Sequence, residues 1–124
     1  MSFRSILRDI VEECGGGIGA VLMGVDGIAI DEYVRGSAPT GPLQDDIATA
    51  GVEFSRILDE IAKASDGLGG GAMHETVVSL DRMQLVFRPV DEETFLALVL
   101  APHGNLGKAR YLLRRHLSAI RQEL

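Results

Sequence analysis

Three apolar runs crowd residues 74–100 with almost nothing between them. HETVVSL (74–80) and MQLVFRP (83–89) are parted by Asp81-Arg82, and TFLALVL (94–100) follows Pro89 and the turn residues Asp91-Glu92-Glu93. A parallel crossover needs a dozen or more residues, so neighbours this close can only pair antiparallel. The same constraint acts upstream. IGAVLMG (18–24) and IAIDEYV (28–34) flank only Val25, Asp26 and Gly27. Asp-Gly between two apolar runs is a strong hairpin signal, because a type I′ turn needs positive φ at both central residues. The chain must therefore lay five short strands into antiparallel pairs.

Three segments carry the 3.6-residue period instead. Phe3, Ile6, Leu7, Ile10, Val11 and Cys14 stripe a helix over 3–14, with Ser2 as its N-cap and Gly15-Gly16-Gly17 as its stop. A long helix is predicted over 43–65, with Leu43, Ile47, Ala50, Phe54, Ile57, Leu58, Ile61 and Ala62 as its apolar positions. Small residues, Ala48, Ala50 and Gly51, interrupt this stripe. Glycine inside a helix costs about 1 kcal/mol relative to alanine, so Gly51 implies that something approaches closely, either the sheet or a symmetry mate. Asn105 caps a last helix to about 123, buried along Ala109, Leu112, Leu113, Leu117, Ile120 and Leu124. Residues 35–42 and 66–72 read as Gly-rich loops. The expected architecture is α+β: one domain over 1–124, order αββαβββα, a five-stranded antiparallel sheet with helices on both faces.

Charge narrows the partners. With 12 basic and 18 acidic residues the net charge is -6, which argues against a nucleic-acid binder, whose phosphate contacts need clustered Lys and Arg. The tail differs from the rest. Lys108, Arg110, Arg114, Arg115 and Arg121 face only Glu123 there. This is either a solvated helix face with cations near the helix's negative end or a docking face, carried by Arg114, Arg115 and Arg121, for an acidic partner. No apolar run nears the roughly 18 residues of a membrane span. MSFRSILRDIVEEC places acids within its apolar pattern and reads as a helix rather than a signal peptide. The single cysteine excludes an internal disulfide and a thiolate-rich zinc site. The cytoplasm is the expected compartment.

Chemistry-bearing motifs are weak. APHGNLGKAR (101–110) opens a helix after a strand, but a Walker loop would need glycine at Pro102 and a hydroxyl at Ala109. Gly67, Gly69 and Ala72 fit G-x-G-x-x-A in inverted context, leaving a helix for a strand. His74, His103 and His116 share no metal-binding spacing. Cys14 closes an apolar stripe beside Glu12 and Glu13, the setting of a core residue rather than of a thiolate. No catalytic residue, metal or cofactor is expected. A small enzyme or ligand-sensing domain would instead show a pocket lined by His74 or His103. Val25, Asp26 and Ile28 remain. Asp26-Gly27 is explained by turn geometry alone, whereas an apolar residue at an exposed tip suggests a partner contact.

The layout and its words resemble the Roadblock family, named for a dynein light chain. LMGVDGIAID (22–31), the helix LQDDIATAGVEFSRILDEIAKA, the strand from Thr76 and the closing TFLALVLAPHGNLGKARYLLRRHLSAI carry the resemblance, which spans nearly the whole chain. It looks most like the bacterial MglB and MglC group of polarity regulators, with MglC favoured. The resemblance implies a non-catalytic homodimer joined through the second helix and third strand, here Ala50, Gly51, Phe54, Ile57, Val77 and Val78. It implies a platform in a Ras-like small-GTPase polarity or motility system, recruited to a cell pole. MglC-like members bind other Roadblock proteins or response-regulator scaffolds. The alternative, MglB-like, reading is a GTPase-activating protein acting directly on a small Ras-like GTPase.

Overall fold

The strands and helices arise where the two periods place them. The computed structural model describes residues 2–36 and 42–124, the side chains of 42–48 excepted. The loop expected over 35–42 lies largely outside the described residues. So do the side chains of Leu43, Ile47 and Ala48. The elements are α1 (Phe3–Glu13), β1 (Gly17–Gly24), β2 (Ala29–Val34), α2 (Pro42–Leu68), β3 (Thr76–Ser79), β4 (Gln84–Pro89), β5 (Thr94–Leu100) and α3 (Leu106–Glu123). All strand pairs are antiparallel, in the spatial order β2-β1-β5-β4-β3. The α+β architecture and the order αββαβββα are as expected.

Alternation along the strands builds two cores. All seven residues of β5 are buried, because the strand lies mid-sheet and both faces are covered. Leu96, Leu98 and Leu100 join Ala20 and Leu22 under α1 and α3. Phe95, Ala97 and Val99 join Val21, Met23 and Phe87 on the opposite face, where α2 lies. Ser2 Oγ accepts from the Ser5 N–H at 3.2 Å to cap α1. Asn105 Oδ1 accepts from the Lys108 N–H at 3.0 Å to cap α3, so the phosphate-loop lookalike is a helix start.

Leu124, expected on the buried stripe of α3, is exposed at the end of the helix, and three further details depart from the sequence reading. The hairpin turn is not type I′. Gly27 donates to the Gly24 carbonyl and Gly24 to the Ile28 carbonyl, both at 2.9 Å, and only Gly27 has positive φ, at +89°. This is a three-residue loop closed by a glycine bulge. The Asp26 carboxylate stabilises it by accepting the Ile28 N–H at 3.0 Å. Second, α2 runs three residues past 65, to Leu68. Glycines read as a loop are its cap: Gly69, at φ +68°, donates to the Asp66 carbonyl, and Gly70 donates to the Ser65 carbonyl at 2.9 Å. That paired pattern is a Schellman motif. Third, Gly51 is buried and faces the sheet. A Cβ there would overlap the thioether of Met23, itself fully buried. Helix on sheet therefore accounts for the missing side chain, and Gly51 also lines an apolar groove beside Ala50 and Phe54.

Candidate functional site

The β1–β2 tip is held rigidly while its apolar side chains stay in solvent. The Val25 N–H donates to the Glu93 carbonyl at 2.8 Å, and the Val25 carbonyl accepts from Ser55 Oγ of α2. Val52 of α2 closes over the turn, and a Cβ at Gly27 would stand 2.9 Å from its Cγ2. Yet Val25 is 54% exposed and Ile28 67%. Ile30 and Val52 are exposed as well. Asp26 has its carboxylate turned back onto the loop, which is the turn-geometry role. Sequence reasoning missed Ser55 and Val52. The available signal was a hydroxyl on the sheet-facing side of an amphipathic helix, a place that demands a hydrogen-bond partner.

The neighbouring β4–β5 turn is fixed by Asp91. Its carboxylate accepts from the Glu93 N–H, the Thr94 N–H and Thr94 Oγ1, each at 2.8 Å. The bond from the Glu93 backbone, then that from the Thr94 hydroxyl, holds the Asp91 carboxyl below its ordinary value. A depressed carboxyl stabilises the fold above its unfolded pKa, near 4, and loses that contribution as pH falls through the folded value. The turn that carries Glu93, and with it Val25, is therefore kept at neutral pH and weakened only in acid.

On the α2 face the sheet is only partly covered. Between α2 and the β3–β4–β5 half runs a groove of about 210 Å³. Its lining is apolar throughout, including Ala50, Phe54, Leu80, Met83 and Leu85. Phe54 leans on Phe87 with ring centroids 4.9 Å apart. Ala50, Phe54, Ile57 and Ile61 recur at i, i+4, i+7 and i+11, so one stripe of α2 continues out of the groove. Ile57 is 52% exposed, and Ile61 and Leu80 are exposed too. At the border stands β3. Val78 packs toward this face, whereas Val77 is exposed at the sheet edge. Ala50, Phe54, Ile57 and Val78 thus lie around one surface, whereas Val77, paired with Val86 of the other core, turns to the far face of the sheet at its edge.

The remaining surfaces are less organised. Arg114 and Arg115 are exposed and carry no ion pair among the described residues. Arg121 Nε donates to the Val90 carbonyl at 2.8 Å, so it helps hold the β4–β5 turn. Arg110 and Arg88 both reach Glu75. An open cleft of about 740 Å³ lies beside the tip and is lined by His74 but not by His103. Four of its polar groups are already engaged: Ser55 with Val25, Asp91 with its turn, Arg121 with Val90, and Asp59 with Lys63 at 3.1 Å. Cys14 is buried, and burial pushes its thiol above the ordinary value. Among the described residues no cluster of three or more His, Cys, Asp or Glu side chains could hold a metal ion. No described helix is long and apolar enough to cross a membrane.

Comparison with known proteins follows this geometry. No family model and no curated protein sequence matches the chain. Solved structures do. A Roadblock/LC7 domain from Streptomyces avermitilis superposes with a TM-score of 0.85 at 19% identity, over 99% of this chain and 98% of that one. An MglB with a tetrameric arrangement gives 0.82 at 22% identity, over 95% and 84%. Both show the fold. MglC from Myxococcus xanthus matches at 33% identity over the full length of both chains, with a TM-score of 0.69. With that identity sustained from end to end, the chain belongs to the Roadblock family, in its MglB and MglC group.

Proposed function

We propose that this protein is a non-catalytic, homodimeric adaptor in a Ras-like small-GTPase polarity or motility system. In this reading it works in the cytoplasm, is drawn to a cell pole by its partners, and bridges another Roadblock protein or a response-regulator scaffold to the GTPase. The observation that carries the reading is the uncovered apolar surface. A groove, a helical stripe and a strand edge lie side by side, and an isolated soluble chain gains nothing by leaving them wet. A second copy, placing its own α2 against this one and pairing β3 with β3, would cover all three at once. The pinned tip, with Val25 and Ile28, is then free for a different partner. Arg114 and Arg115 offer a second, electrostatic contact for an acidic one.

The higher sequence identity to MglC, 33% against 22% for the MglB with a tetrameric arrangement, supports the adaptor over the direct activator of hydrolysis. Bait pull-down from source-cell lysate, run with a non-hydrolysable GTP analogue and with GDP, tests the choice. The adaptor retains a Roadblock chain or scaffold under both nucleotides. A GTPase retained only with the analogue, and hydrolysing faster in single turnover when this protein is added, would establish the activator instead. The tip has its own test. Val25→Ala with Ile28→Ala should leave the melting temperature within a few degrees, because both side chains are already exposed. It should weaken binding to the retained partner by about tenfold or more, as loss of an apolar anchor does. Unchanged affinity would remove the tip as the site.

A further inference from the structure

An antiparallel sheet of five strands has two edges, and in this molecule they differ. Along β2 the hydrogen-bonded pairs with β1 fall at Ala20–Tyr33 and Leu22–Asp31, in phase with the Arg35 N–H bond to the Ile18 carbonyl. Glu32 stands between them, so its N–H and C=O point away from β1 toward the open side. Both are taken. The N–H donates to Asp31 Oδ1 at 2.8 Å, and the C=O accepts from Arg4 Nη1 of α1 at 3.1 Å. The Arg4 guanidinium is held in place over the Tyr33 ring, 5.7 Å from its centroid. Tyr33 Oη in turn donates to Glu12 Oε1. Arg35 completes the staple, donating to the Val11 carbonyl at 2.8 Å. A second copy pairing here would also set the acids Asp31 and Glu32 against themselves.

The β3 edge is built the other way. The Leu80 N–H bonds to the Met83 carbonyl at 2.8 Å, so Val78 and Thr76 follow in phase as the residues bonded to β4. Val77 and Ser79 face outward, and among the described residues no side chain reaches their backbone groups. An edge of unpaired N–H and C=O groups is a template for another strand, and a capped, charged edge is a block against one.

We infer that Arg4 and Asp31 close the β2 edge and confine strand addition to β3, so that assembly through the sheet stops at two copies. Two open edges per chain would permit alternating β3–β3 and β2–β2 pairs, a sheet with no closing contact. The inference rests on the dimer proposed above for its count of copies, but not for the cap itself.

The test is Arg4→Ala with Asp31→Thr, measured by sedimentation beside the parent chain. The opened variant is expected to grow with concentration to several times the parent mass, with more strand signal in circular dichroism. Arg4→Lys with Asp31→Asn, which keeps a donor for the carbonyl and an acceptor for the N–H, should stay at the parent mass. A parent that sediments as a monomer would defeat the dimer reading alone; the opened variant would then stop at two copies. An opened variant that is folded and keeps the parent mass at every concentration overturns the cap. Should the opened variant not fold, amide exchange in the parent decides. Protection of the Glu32 amide supports the cap, and exchange at the free-peptide rate overturns it.

Discussion

An Ile57→Glu chain is expected to sediment as a folded monomer at concentrations where the parent sediments as a dimer. The single chain loses little, since Ile57 is 52% exposed on the outer face of α2. Glutamate is also a good helix former. In the proposed pair the same position sits in the seam between helices. A carboxylate buried there without a partner costs several kcal/mol. Even a loss of about 3 kcal/mol raises the dissociation constant by roughly a hundredfold. Arg114→Glu, on α3 and away from the seam, is the matched control and should leave the mass unchanged. An Ile57→Glu chain that still pairs with parental affinity would take α2 out of the interface.

The second large effect is on stability and concerns Gly17→Ala. A Cβ at Gly17 would fall on the Val11 carbonyl oxygen, with Val11 C at 3.2 Å and Val11 Cα at 3.3 Å. These are backbone atoms of α1, so no rotamer change relieves the overlap. Only lifting α1 from β1 does, and that disturbs Ile6, Leu7, Ile10 and Val11, each at most 1% exposed. The expected loss is about 3 kcal/mol or more. At fixed protein concentration that lowers the melting temperature by roughly 10 °C or more. Gly67→Ala serves as comparison. It is helical with nothing within 4 Å of the added carbon, and it should be neutral or slightly stabilising. A Gly17→Ala chain within about 1 kcal/mol of the parent would mean that α1 is far less tightly docked than its burial implies.

Much of this molecule was legible in the chain. The spacing of apolar residues gives all eight elements in order, and the short turns give the antiparallel pairing. What escaped has common physical causes. Residue type does not report which atom a backbone group will meet. Gly69 and Gly70 read as flexibility, and they are the cap that lengthens α2. Asp26-Gly27 promised two positive φ angles; one suffices once the Asp26 carboxylate supports a three-residue loop. Gly51 announced a close approach without saying to what, and Met23 of the sheet is the answer. At the candidate site the exposed tip residues Val25 and Ile28 could be named from the sequence. Ser55, which pins them, lies 30 residues from Val25 along the chain. The capped β2 edge was invisible for the same reason, since Arg4 reaches the Glu32 carbonyl across 28 residues.

Self-pairing through α2 and β3 is the claim on which the functional reading stands. Sedimentation equilibrium combined with amide exchange, across a dilution series of the parent chain, tests it most directly. The expected result is twice the chain mass, with protection of the Val77 and Ser79 amides that fades on dilution together with the dimer. A monomer at all concentrations, or a dimer in which those two amides exchange freely, would contradict it.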